Sequence, residues 1–330
     1  MKSILASVIT TLVLFAIVLF LTGTTPEKVS TEEVSNTEES KVESSETTSA
    51  TSTNLVTTTA ATGANQNITL VPLPDYLTLG GEEVPLTQWD VRERLDREIL
   101  VNTYWHSNTI RLLKLANRYF PLIEPMLAKH DIPDDMKYIA LIESGLDVSA
   151  KSPAGASGPW QFMKSAGKQF NLEITDTEVD ERYNWEKSTE AACKYLKSEY
   201  RSFKSWTLSA AAYNAGHGRI RKTMSAQQAD NYYDLYLVRE TSRYVFRILA
   251  LKLIHSDPDK YGFHLTDSDY YHPIETKDVE VSSIDDIASF AVRNGTTYKE
   301  LKLLNAWLRS TKLSKRSSGK KYIVKVPVKY

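Results

Sequence analysis

One cysteine in 330 residues, Cys193, excludes an intramolecular disulfide, so packing has to hold the fold together. Cys193 follows Ala191 and Ala192 on a predicted helix, where a small buried thiol is the expected role rather than a nucleophile. The six histidines fall in no ligand pattern such as H-E-x-x-H, and no glycine-rich phosphate loop is present. Metal and nucleotide chemistry are therefore disfavoured, and neither a metal nor another cofactor is expected. A net charge of -1 argues against a general polyanion binder. The absence of a long internal repeat excludes a solenoid.

The charges are unevenly placed. Glutamate is concentrated behind the amino terminus, while the last stretch carries Lys299, Lys302, Arg309, Lys312, Lys315, Arg316, Lys320, Lys321, Lys325 and Lys329. Such a basic tail suits an anionic polymer or a solvated face. Ile4 to Leu21 is an almost unbroken apolar run preceded by Lys2, which is an export signal. Its length is close to that of a spanning helix, and no A-x-A cleavage site follows. Residues 1–23 are expected to be a signal or an uncleaved anchor that holds the chain to the membrane, with the body on the periplasmic side of the cell envelope. Nucleic acid is then not an expected partner, and no obligate protein partner is indicated. Residues 24–68 are rich in Ser, Thr and Glu and hold no aromatic residue, so they cannot bury enough apolar surface to order themselves. A flexible tether is predicted there.

Residues 69–256 read as one domain whose apolar spacing is helical from Trp89 on: Leu112, Leu115, Ala116 and Tyr119 in one segment, Ala191, Ala192, Tyr195 and Leu196 in another, Val245, Ile248 and Leu249 in a third. Asp131 to Asp134 reads as a helix start, Pro159 as the first position of a further helix, and Gly216 with Gly218 as a helix end. Residues 257–276 read as a connection. From 277 to 330 the period changes: Val279 and Val281 alternate, Ile284, Ile287 and Ala288 suit a helix, Leu301, Leu304 and Asn305 suit a second, and Tyr322, Val324 and Val326 alternate again. The fold class expected is mainly α, with a small carboxy-terminal α+β module of order strand, helix, helix, strand.

One acid stands out. Glu143 shares a helical face with Met136, Ile139 and Ala140, so folding should carry it toward the core. Desolvation disfavours the charged form, and a buried glutamic acid can hold its proton close to neutrality and donate it there. A structural acid that caps a loop or pairs with arginine fits the same face.

The segments around it narrow the choice. Glu143-Ser144, then Ser157 to Met163 with its Gly-x-x-Gln-Phe-Met core, then Ala212-Tyr213-Asn214-Ala215-Gly216, and finally Glu240-Thr241-Ser242-Arg243-Tyr244 follow one another in order. Together they resemble the lytic murein transglycosylases of the goose-lysozyme-like superfamily, the membrane-bound D type in particular. The resemblance implies a lysozyme-like fold with peptidoglycan glycan strands as substrate. It makes Glu143 the single catalytic acid and then base, with Ser144, Ser152, Gln161, Tyr213, Asn214, Glu240 and Tyr244 at the sugar cleft. Trp160, Phe162 and Tyr213 offer flat apolar surfaces suited to sugar rings, but such aromatics are more often core than cleft, and the motif context reverses that only for Tyr213. The reaction implied cleaves the β-1,4 bond between N-acetylmuramic acid and N-acetylglucosamine and leaves a 1,6-anhydro sugar. Asp147, Asp176 and Asp180 remain as second carboxylates for a hydrolytic, lysozyme-like alternative, and a binding protein on the same fold is a further one. The 277–330 module is similar to a LysM domain in Ser283 to Ala288, Leu303-Leu304-Asn305 and Val326-Pro327, but lacks the usual Gly-Asp-Thr.

Overall fold

Local signals in the chain mark some of the helix ends, and tertiary burial sets the rest. The computed structural model describes residues 70–328, so the expected anchor at 1–23 and the tether at 24–68 lie outside the described residues. Among the described residues no helix is long and apolar enough to cross a membrane.

A two-residue hairpin, β1 (Thr78–Leu79) with β2 (Glu82–Glu83), leads into α1 (Trp89–Tyr104) and α2 (His106–Lys129). A short 3-10 turn, Asp134–Met136, then feeds α3 (Lys137–Ser144). After an irregular stretch come α4 (Lys164–Gln169), α5 (Trp185–Phe203), α6 (Trp206–Ala215), α7 (His217–Gln227) and α8 (Arg239–Ser256). Asn184 caps α5 by accepting from Lys187 N, and Ser205 caps α6 by accepting from Leu208 N, which satisfies amides that have no partner within their helices. Helix α6 is buried almost all round, with Ala210, Ala211 and Ala212 fully inside. A helix without a wet face belongs at the centre of a bundle, and α6 packs against α5, α7 and α8.

Two local expectations fail. Pro159 does not start a helix: residues 157–162 form a turn closed by Ser157 N donating to Phe162 O at 3.1 Å, and α4 begins only at Lys164. Gly218 does not end a helix either; Gly216 alone separates α6 from α7, and Gly218 lies within α7.

Beyond two further 3-10 turns the carboxy-terminal piece is β3 (Thr276–Val281), α9 (Ile287–Arg293), α10 (Tyr298–Leu304) and β4 (Tyr322–Pro327). The two strands pair antiparallel, Thr276 opposite Pro327 and Val281 opposite Tyr322. Ile284 is not helical as its spacing suggested. It exchanges both backbone hydrogen bonds with Leu313, and Asp286 caps α9 two residues later by accepting from Ser289 N. The small core of this module includes Val179 and Tyr183 from the helical body.

Several basic residues of this tail face the protein itself. Arg316 pairs with Glu173 and Glu178, Lys320 with Glu173 and Glu181, and Lys325 with Glu186 and Asp278. Lys329 lies outside the described residues.

Candidate active site

Helix α3 ends where its acid is needed. Gly145 adopts φ 61°, ψ 31°, a left-handed cap that donates its amide to Leu141 O. A Cβ there would also approach Arg111 Nη2 to 2.6 Å, so glycine serves both the turn and the close approach. This stop leaves Glu143 and Ser144 in the last turn, facing inward from a helix whose other residues are mostly buried.

Glu143 is half-buried as a residue, and its carboxyl is enclosed by protein. Tyr244 Oη donates to Glu143 Oε1 at 2.6 Å. Burial pushes the Glu143 carboxyl up to about 7. The Tyr244 hydrogen bond and the positive charge of Arg247 oppose that rise, and the negative charge of Glu240 adds to it. Tyr244 is itself held well above the usual phenol range, first by burial and then by the Glu143 charge, so it stays a neutral donor.

The other motif residues form the scaffold around this pair. Glu240 and Tyr244 lie one turn apart on α8. Glu240 Oε1 accepts from Asn214 Nδ2 at 3.3 Å, and Asn214 Oδ1 accepts from Thr241 Oγ1 at 2.9 Å, which ties α6 to α8. Ser144 Oγ donates to Pro159 O at 2.8 Å, joining α3 to the 157–162 turn. Tyr213 Oη donates to Trp160 O at 2.7 Å, joining α6 to the same turn. Gln161 has φ 48° and its Nε2 donates to Gly158 O at 2.8 Å, while Ser152 Oγ accepts from Ala156 N at 3.0 Å. Both therefore make these bonds within their own loop rather than to Glu143.

The three flat aromatic surfaces are not placed alike. Trp160 is fully buried and its Nε1 donates to Thr189 Oγ1, and Phe162 is 4% exposed. Both are core, and Tyr213, half-buried against them and Tyr195, is the one of the three with an open side. Each candidate second carboxylate has a partner of its own. Asp147 accepts from Ser149, Asp176 pairs with Lys164, and Asp180 is buried against Arg182.

Two residues at the site escaped the sequence reading. Arg247 Nη2 donates to Ile142 O at 3.3 Å and acts on the Glu143 charge. Its place three residues beyond Tyr244 on the same helix was the available signal. Thr241 lay within a quoted motif but had no role assigned.

With this geometry in place, likeness to known proteins can be set beside it. Residues 121–235 match the transglycosylase SLT domain family, and residues 277–330 match the soluble lytic transglycosylase C-terminal LysM-like domain. The two matches follow one another along the chain. It is 30% identical over 245 residues to the membrane-bound lytic murein transglycosylase D of Escherichia coli (strain K12), across 73% of this chain and 52% of that protein. The chain therefore spans about half the length of that relative. It is also 39% identical over 88 residues to the peptidoglycan transglycosylase gp16 of Escherichia phage T7, 26% of this chain and 7% of the other. Among solved structures, the 70 kDa soluble lytic transglycosylase of Escherichia coli aligns with a TM-score of 0.37 at 24% identity, over 47% of this chain and 27% of that one.

Proposed function

We propose that the protein is a peptidoglycan lytic transglycosylase of the cell envelope, with Glu143 as its one catalytic carboxyl. The observation that carries this reading is a glutamic acid, within the residues that match the SLT domain family, that is pushed up to about 7 and hydrogen-bonded by a neutral tyrosine. At neutral pH such a group populates both forms. As the acid, Glu143 protonates the oxygen bridging N-acetylmuramic acid and N-acetylglucosamine, and the C1–O bond breaks. As the base, it then takes the proton of the muramic C6 hydroxyl while that oxygen closes on C1. The acid is regenerated, a 1,6-anhydro ring forms, and no water is consumed. The attacking hydroxyl belongs to the substrate, so proximity replaces a second protein carboxylate.

Asn214, Glu240 and Tyr244 fit the cleft wall, and Tyr213 fits the sugar platform. Ser144, Ser152 and Gln161 fit as supports and edges of the cleft. An amino-terminal anchor at residues 1–23 and a tether at 24–68 would place the body, residues 69–256, beside its polymer, with residues 257–276 leading to the LysM-like module. The apolar run behind Lys2 supports that placement.

The alternative to this ring closure is hydrolysis, in which a water rather than the C6 hydroxyl takes the sugar C1. Mass spectrometry of products released from purified sacculi separates the two. The expected products are muropeptides one water lighter than hydrolysis products; hydrated reducing ends would assign the protein to the muramidases instead.

A further inference from the structure

The stretch from Glu173 to Tyr183 is gripped from two sides. On one side stands the carboxy-terminal module. Val179 bridges to Leu308, Asp180 N donates to Trp307 O at 3.0 Å, and Arg309 N donates to Glu178 O at 2.8 Å. Val179, fully buried, and Tyr183 complete the module's own core, so the module is no free domain on a flexible leash. Charge closes the joint: Arg316 lies 2.8 Å from Glu173 and 3.1 Å from Glu178, and Lys320 lies 2.7 Å from Glu173 and 2.8 Å from Glu181. Sheltered pairs of this kind are costly to break one partner at a time.

On the other side stands the turn that frames the candidate site. The Arg182 side chain is 9% exposed and is fixed by a two-point pair with Asp180, Nε to Oδ1 at 3.0 Å and Nη2 to Oδ2 at 2.7 Å. Its remaining arm, Nη1, donates to Gly155 O at 2.9 Å, just ahead of the turn, and to Phe162 O at 3.1 Å at its end, so it spans residues 155–162. Between those ends, Pro159 O receives Ser144 and Trp160 O receives Tyr213. A continuous chain of contacts therefore runs from the module, through residues 173–183, to the helices that carry Glu143 and Asn214.

We infer that the 277–330 module is a brace for the cleft, and that Arg182 is the positioning residue through which its docking fixes the 155–162 turn. The kinetic arm of the test rests on the proposed function; the exchange arm does not. Neither a glycan-binding role nor general stabilisation predicts a selective loosening of this turn.

The test uses the full chain with two variants, Arg316→Ala combined with Lys320→Ala, and Arg182→Lys, which keeps the charge and loses the fork. Amide hydrogen exchange is read at Ser157 and Gly158, whose amides donate to Phe162 O and Ala150 O. Exchange there is expected to rise about tenfold in both variants, the scale of one lost charge-assisted hydrogen bond. In parallel, kcat for muropeptide release should fall about tenfold with KM within about twofold of wild type. Unchanged exchange at Ser157 and Gly158 in Arg182→Lys overturns the inference. So does faster exchange across 277–330 in the double variant that leaves the turn untouched, or a raised KM with kcat intact, which would make the module a glycan binder. An inactive wild type would sink the functional reading while leaving the exchange result to decide the brace.

Discussion

Replacing Glu143 by Gln is expected to abolish muropeptide release, by about 10² to 10⁴-fold, while leaving the fold intact. Glutamine matches the acid in shape and keeps an oxygen to accept the 2.6 Å hydrogen bond from Tyr244, so what is removed is the transferable proton. The stability of the variant should carry a second signature. A glutamic acid whose folded value is raised from 4.5 to about 7 favours the folded state fully below about 4.5, and that contribution is lost as pH rises through about 7. Above neutrality the wild type must hold a charge in an enclosed site, at a cost of up to roughly 3 kcal/mol. Glutamine carries no such cost. Thermal unfolding of the variant should therefore match wild type near pH 4 and exceed it at pH 8. Release within about tenfold of wild type would remove Glu143 from the mechanism.

Gly158→Ala should destabilise the protein by about 3 to 5 kcal/mol, large for one methyl group. Gly158 has φ 77°, which L side chains rarely adopt, and a Cβ there would lie 1.8 Å from the carbonyl oxygen of Arg182. The obstacle is backbone, so no side chain can rotate out of the way. Either the turn or the 180–183 segment has to shift, and the turn holds the acceptors for Ser144 and Tyr213. Urea unfolding measures the loss, and a change under about 1 kcal/mol would mean that the turn is far more pliant than its contacts indicate.

What could be read along the chain is what depends on spacing. Met136, Ile139 and Ala140 predicted the burial of Glu143, all three being fully buried, and the four-residue interval between Glu240 and Tyr244 put both on one face of α8. The alternating valines found the two strands that pair as β3 and β4. What stayed hidden depends on partners distant in sequence. Pro159 looked like a helix start because local preference allows it there, yet Ser144, 15 residues earlier, holds its carbonyl in a turn. Trp160 and Phe162 were weighted toward the core along the chain, and what the fold adds is the distant partner, Thr189, that holds Trp160 there. The docking of the 277–330 module was invisible for the same reason: Arg316 and Lys320 read as a solvated basic tail until Glu173, Glu178 and Glu181 are brought beside them.

The central claim is that one enclosed carboxyl keeps its proton near neutrality, and direct titration tests it. In the full chain with carboxyl-¹³C glutamate, the resonance lost in Glu143→Gln identifies Glu143, and its midpoint should lie at about 7. Tyr244→Phe, which removes the hydrogen bond that favours the ionised form, should move that midpoint higher still. A midpoint near 4.5, the ordinary glutamate value, would contradict the account.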